Sequence, residues 1–543
     1  MLTLSWLDAW IILGFLASVV LVGSWAARRA GQNTESFFLS GRNMPWWLLG
    51  VSMVACTFSC DTPNLITEIV RLNGVAGNWV WWAFLLTGML TVFVYAGLWR
   101  RSGLDTDLGF YELRYSGRPA AFLRGFRAVY LGVVYNLIIL GGVSLAAIKI
   151  GQIMFGLSPG LSLLFSMTGV AVYATLGGLT GSMWADFYQF SVAMAGAIFA
   201  AVYAVNSGMA EGVTSLSQLF AHPAVSPKLS LVQPATHDLS TLMTVLILPL
   251  AVQWWNVWYP GAEPGGGGFV AQRMLSARNE RHAVGGTLLF NVLHYIAAYM
   301  STVATLLNWG SSYVVQDVYL RFFRPQASAR HAVRVGRVTM LAMLLVSAAI
   351  AFHMTTVKTI FHVLLQVGAG TGLLYILRWF WWRINVWSEV TAMAVSFAVA
   401  VFFQFAAAPL GIEAALARAG WLRVMDVTSW KMVFGILITT AAWLTATYLT
   451  PPVDDRTLAD FCRKIRPGGP GWRRFETAQD GAAPQGWSVP NGLLCMLLGC
   501  LLVWASLFGV GYLLYGAALR GAVLLAVAAA AGWGLLRRVT ARA

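Results

Sequence analysis

The chain has 543 residues, 58% of them hydrophobic and 10% charged, with a formal net charge of +15 and a mean hydropathy of +0.68. Apolar runs of about 18 residues or more recur from end to end, which excludes a soluble globular architecture and implies a polytopic α-helical membrane protein. A transmembrane barrel would show short alternating segments, and these runs do not alternate.

In chain order the predicted spans are 5–27, 45–69, 77–99, 127–154, 159–177, 183–205 and 240–260. A composite region follows at 284–319, then spans at 334–353, 357–380, 387–407, 431–450, 491–515 and 519–536. The first run has no basic stretch before it and is followed by Arg28 and Arg29. It is expected to be an uncleaved anchor with its N-terminus outside, in a multi-pass cell-membrane protein. On that orientation most of the Lys and Arg fall on cytoplasmic segments, including Arg100, Arg101, Arg114, Arg118, Arg124 and Arg127. This is the positive-inside bias, so the basic charge implies a lipid bilayer and no nucleic-acid partner. The five cysteines (Cys56, Cys60, Cys462, Cys495, Cys500) show neither metal-ligand spacing nor a disulfide framework.

Two spans are interrupted by helix-hostile sequence. TFSCDTPN (57–64) breaks the span at 45–69, and the span at 240–260 runs into WWNVWYPGAEPGGGG (254–268). Such stretches are tolerated at membrane depth where they line a polar cavity, and paired interruptions in two hydrophobic halves point to a transporter's binding site. Residues 57–63 and 258–266 are therefore expected to be non-helical and to face each other near the midplane. Carbonyl oxygens freed at such a break can replace the hydration shell of a small cation, with hydroxyls such as the adjacent Ser301 and Thr302 completing it. Ser and Thr in a span also bond back to their own helix or pack between helices.

The composite region poses a parity problem. Arg273, Arg278 and Arg281 precede it, and Arg321, Arg324 and Arg330 follow it. Both flanks require the cytoplasm, so an even number of crossings should lie between. Yet residues 284–319 reach only about 55 Å as helix, slightly less than two crossings and a turn. A shallow helical hairpin bending at His294 to Ala298 is expected; the alternative is one long tilted helix that breaks the charge rule, since no Gly or Pro marks a turn there.

Four stretches carry a resemblance. ESFFLSGRNMPWWLLGVSMVACTFS (35–59), GGLTGSMWADFYQF (177–190), GGFVAQRMLSARNERHA (267–283) and AAYMSTVATLLNWGSSYVVQDVYLRF (297–322) resemble, in order, motifs of the solute:sodium symporter family. The resemblance covers roughly residues 5–450. It implies an all-α leucine-transporter-like fold of two inverted five-helix repeats with two broken helices. The organisation is then an N-terminal anchor helix (1–30), a first repeat (45–205), a second repeat (240–380, shortened at 284–319), and C-terminal helices (387–543) with a basic loop at 451–490.

The resemblance also implies a sodium site made by the carbonyls of Ala55, Phe58 and Ala298 and the hydroxyls of Ser301 and Thr302, with Asp186 on the ion's path. Asn256 and Trp258 match a substrate-binding stretch of the sugar-transporting members, and Tyr259 its inner aromatic gate. Asp61 and Thr62 fall where those members carry substrate-facing polar groups. Glu68 lies two turns further along the same helix face. Two departures stand out. GAEPGGGG (261–268) is longer and more glycine-rich than its equivalent, which makes Glu263 an additional polar group near the inner mouth. In the composite region the second half of one helix, an extracellular loop and the first half of the next are missing. The implied activity is sodium-coupled symport of a small polar organic solute, with sodium as the coupling ion and no cofactor. The alternative is a transport-impaired or sensor-like homologue, which the shortened region favours. No nucleophile elbow, zinc-protease or nucleotide-loop motif is present, so no enzyme is expected.

Overall fold

The structure is a computed structural model, and it describes residues 6–57, 61–208, 212–232, 239–257, 263–296, 303–353, 368–475 and 488–540. The regular elements among these residues are helices. α1 (Trp6–Ala30) is followed by the short α2 (Thr34–Leu39) and by α3 (Trp46–Thr57) and α4 (Asp61–Asn73). Next come three long apolar helices, α5 (Val75–Ser102), α6 (Gly117–Ile153) and α7 (Pro159–Asn206). α8 (Leu239–Ala251), α9 (Gly268–Ser276), α10 (Glu280–Ile296) and α11 (Val303–Tyr313) are shorter, and α11 continues as π-helical turns over Val314–Phe323. The rest of the bundle is α12 (Ala329–His353), α13 (Gly372–Leu377), α14 (Val386–Ala406), α15 (Val427–Leu449), the amphipathic α16 (Asp455–Ile465), α17 (Val489–Leu514) and α18 (Ala518–Thr540). Among the described residues nine helices are long and apolar enough to cross a membrane.

α7 holds two of the expected spans in one run. Gly178 kinks it at φ 53, ψ −151, a conformation open to glycine because it lacks Cβ. α1 packs along α7, α3 along α10, α6 along α12, α14 along α15, and α17 along α18. α3 and α10 approach through glycines. A Cβ on Gly50 would stand 2.7 Å from Leu289 Cβ, and one on Gly286 would stand 2.8 Å from Leu49 Cβ. Small residues let helices approach this closely where lipid supplies no hydrophobic driving force.

The structure corrects three expectations. Residues 57–63 are not a long non-helical stretch. Thr57 closes α3, and Asp61, Thr62 and Pro63 open α4. A proline fits the first turn of a helix, whose N–H groups have no intrahelical partner, and an acidic residue there is favoured by the helix dipole. The span at 240–260 is helical only to Ala251. Pro249 removes a backbone donor, π turns at Met243–Ile247 precede it, and a 3-10 turn (Gln253–Trp255) follows. In the bend placed at His294 to Ala298, His294, Tyr295 and Ile296 are instead helical. Ala297 and Ala298 lie outside the described residues.

Both ends of the α10–α11 region are fastened to the end of α5, the start of α6 and the segment between them. Arg101 pairs with Glu280 at 2.8 Å. Arg321 pairs with Glu112, and Arg124 with Asp317, each at 2.6 Å. The chain thus leaves one face of the bundle at Glu280 and is back at the same face by Arg321. That face carries the basic loops and is called the basic face below. α16 lies across it and buries Leu458, Phe461, Cys462 and Ile465. Arg101 donates to the Ile465 carbonyl at 2.8 Å, and Trp472 Nε1 to the Trp379 carbonyl at 2.9 Å.

Candidate functional site

The end of α3 forms the first half of the candidate site. Ala55, in its last turn, is fully buried. Thr57 Oγ1 donates to the Val54 carbonyl at 2.8 Å and meets His294 Nδ1, from α10, at 2.9 Å. The last carbonyls of a helix have no intrahelical donors, so they are open to a cation. Four of the five expected sodium ligands (Phe58, Ala298, Ser301 and Thr302) lie outside the described residues. Asp61 and Thr62 are the first residues of α4, and Glu68 is half-buried further along it.

Asp186 is fully buried in the middle of α7. Ser52 Oγ donates to its Oδ2 at 2.7 Å, and Cys56 Sγ approaches the same atom at 3.7 Å. Ser52 and Cys56 stand one helical turn apart, on the face of α3 that leads to Ala55. Arg273 of α9 completes the cluster, with Nη2 3.6 Å from Asp186 Oδ2 and Nε donating to Ser52 Oγ at 3.0 Å. Asp186 Oδ1 has no hydrogen-bond partner among the described residues. The neighbouring Gln272 donates to the Phe38 carbonyl at 3.1 Å and to Asn308 Oδ1 at 2.9 Å.

The second interruption begins after Ala251. Asn256 is 2% exposed, and its Oδ1 accepts the Gly370 N–H at 3.2 Å. Trp258 and Tyr259 lie outside the described residues. Glu263 is buried, and Arg127 Nη2 donates to its Oε1 at 2.7 Å. A cavity of about 50 Å³ lies above this pair, bounded by Tyr130, Tyr135, Val257, Gly368 and Ser396. Past the glycine run α9 starts at Gly268, whose N–H is capped by Asp107 Oδ2 at 2.9 Å. In the loop before α6, burial and the nearby Glu263 charge push Asp107 up to about 6, against hydrogen bonds from Tyr313 and Gly268.

A sequence model of the Sodium:solute symporter family matches residues 37–294 and 282–396. The chain belongs to this family. The two matched segments meet inside α10, where the family pattern is interrupted. A sodium/glucose cotransporter of Vibrio parahaemolyticus is 21% identical over 479 residues, covering 74% of this chain and 86% of that protein. The high-affinity proline transporter PutP of Bacillus subtilis (strain 168) is 23% identical over 437 residues, covering 71% and 89%. A sodium/mannose cotransporter, SLC5A10, of Bos taurus is 25% identical over 308 residues, covering 53% and 49%. In solved form, a Na+-coupled sialic acid symporter in a substrate-bound outward-open state superposes with a TM-score of 0.58 at 16% identity, over 83% of this chain and 99% of that one. The fold is thus that of the symporter family, of leucine-transporter type, and the protein is a multi-pass membrane protein of a transporter family and not an enzyme.

Of the residues carried over from the family, the structure describes Ala55 at the end of α3, Asp186 against Ser52, and Asn256 against the backbone of Gly370. Sequence reasoning missed the partners: Arg273 for Asp186, His294 for Thr57, and Arg127 for Glu263. The available signal was an ionisable side chain at the edge of an apolar run, which marks a functional position by default.

Proposed function

We propose that this chain is a sodium-coupled symporter of a small polar organic solute, with its N-terminus outside and its basic face in the cytoplasm. The observation that carries the reading is the family match across residues 37–396. The named relatives are transporters, which favours coupled transport over a transport-impaired or sensor-like role.

In this reading the carbonyls of Ala55, Phe58 and Ala298 and the hydroxyls of Ser301 and Thr302 hold the sodium ion. An all-oxygen donor set suits a hard, weakly polarising cation. Asp186 lies on the ion's route, and its open Oδ1 supports that role. Asp61, Thr62, Asn256 and Trp258 contact the solute, and Tyr259 closes the inner side. Sodium at its site favours the outward-open state, which binds solute better, and this differential affinity is the coupling. The 1–30 anchor, the repeats at 45–205 and 240–380 and the C-terminal helices at 387–543 remain the organisation we propose. The same-face ties of Glu280 and Arg321 support an even number of crossings between them.

The test is thermal unfolding of the purified protein in sodium and in potassium. Sodium is expected to stabilise by about 2.7 kcal/mol at a hundredfold excess over its dissociation constant. Ser301→Ala with Thr302→Ala abolishes the effect. Equal shifts in the two salts reject a selective sodium site.

A further inference from the structure

We propose that Arg127 and Glu263 form a charged gate between the cavity they line and the basic face, and that the pair must part for solute to leave toward that face. The proposal rests on the transporter reading above. Arg127 enters α6 from the basic face, while Glu263 follows the second interruption. Their carboxylate–guanidinium contact of 2.7 Å forms the floor of the 50 Å³ cavity. Arg127 Nη1 also donates to Tyr375 OH at 2.6 Å, and its guanidinium lies over the Tyr375 ring at 5.0 Å. One cation thus ties the segment after the break to α13.

A second closed layer lies behind the pair. Glu389 of α14 accepts from Tyr115 OH at 2.6 Å and pairs with Arg378 at 3.4 Å. Beyond it Arg114 donates to the carbonyls of Arg378, Trp381 and Trp382, and packs over the Phe461 and Trp472 rings under α16. Arg127 Nη1 also lies 3.9 Å from Glu389 Oε2, so the two ion pairs form one buried network, which Arg114 joins to the aromatic rings at α16.

Three observations point to a gate and not to a structural clamp. Buried ion pairs roughly break even against apolar side chains of the same volume, so fold stability alone does not call for four buried charges here. Arg127 Nε and Glu263 Oε2 are buried and lack hydrogen-bond partners among the described residues, so the pair is not fully satisfied in the closed arrangement. Glu263 is followed, after Pro264, by glycines with φ of +85 at Gly265 and +90 at Gly266. These give the backbone beside Glu263 the freedom of a hinge.

The experiment uses the full chain with its five cysteines replaced by alanine and Ser396→Cys placed in the cavity wall. The rate of labelling by a membrane-impermeant methanethiosulfonate is read from the basic face in vesicles. Glu263→Gln is expected to speed labelling about tenfold, equivalent to about 1.4 kcal/mol lost from the closed state. Arg127→Gln, which removes the same contact from the other side, is expected to speed labelling in the same direction. If Glu263→Gln aggregates, Glu263→Asp, which keeps the charge but shortens the reach, carries the test with the same expected direction. Labelling at the parental rate in whichever of these variants folds overturns the gate. Sodium-driven uptake by the parent is measured in parallel. Uptake with unchanged labelling rejects the gate alone, whereas absent uptake in the parent rejects the transporter reading.

Discussion

Asp186→Asn isolates one buried charge at the junction of three helices. Asp186 and Arg273 are both fully buried, with 3.6 Å between Oδ2 and Nη2. At an effective dielectric of about 20, unit charges at that separation attract by about 4–5 kcal/mol. The asparagine variant keeps an oxygen for the Ser52 hydroxyl, so the hydrogen bond survives in weaker, neutral form. It removes the Asp186 charge from the buried Arg273 guanidinium, and breaking such a pair from one side costs about 3–5 kcal/mol. Arg273→Gln should cost a similar amount by stranding the carboxylate. With both changes no charge is left unbalanced, so the double variant should be more stable than the sum of the single losses predicts, by about 3 kcal/mol. Denaturant unfolding in lipid–detergent micelles, followed by tryptophan fluorescence, measures the cycle. Strictly additive losses would show that the two side chains do not interact, and the cluster joining α3, α7 and α9 would have to be redrawn.

Gly178→Ala puts a Cβ 2.7 Å from the Phe37 carbonyl at a positive φ, and is expected to destabilise by about 1–3 kcal/mol; an unchanged unfolding midpoint would remove the kink from α7. Glu112 is perturbed by burial, which raises its pKa, but hydrogen bonds from Arg321 and Arg124 outweigh it and leave the carboxyl below its ordinary value. Its stabilisation is therefore present above the unfolded pKa and is lost as pH falls through the folded one, and Glu112→Gln should flatten the acid limb of a melting-temperature profile. An acid limb of equal steepness in the two proteins counts against it. Cysteines placed at 281 and 321 in a cysteine-free background should both label from the same side of the membrane, and labelling from opposite sides rejects the return of the chain to the basic face.

What the sequence made legible was local. A proline and a carboxylate inside an apolar run pointed to residues 57–63, but both are compatible with a helix's first turn, and Asp61, Thr62 and Pro63 are helical. Gly178 lies between two apolar runs, and the structure kinks there. Pro249 was an equally local signal, passed over because the apolar run continued beyond it. What was not legible depends on distance along the chain. Arg127 and Glu263 are 136 residues apart, and Ser52 and Asp186 are 134 apart. Without aligned relatives, nothing in the composition of either segment names the other. Buried charges in a membrane protein are thus individually visible as anomalies, while their pairing is a tertiary fact.

The ion pairs at the two ends of the composite region favour an even number of crossings between them. Counting only apolar residues set its start at residue 284 and its length at less than two crossings. The helix instead begins at Glu280, inside the polar sequence that follows the Gln-Arg pair, and α10 runs for 17 residues, about 25 Å. The 11 residues of α11 and the 10 π-helical residues after it add about 30 Å on the return. Each arm approaches the ~30 Å thickness of a hydrocarbon core. The polar ends of the arms are not wasted length, because Glu280, Asp317 and Arg321 form the ion pairs that fix them to the basic face. Shortening the family pattern at the opposite, turn end leaves those anchors, Gln272 and Arg273 in place. On the proposed shortening at 284–319, the half of the bundle that holds Asp186 and the Arg127–Glu263 pair keeps its anchors, and any loss should fall on closure at the outer side.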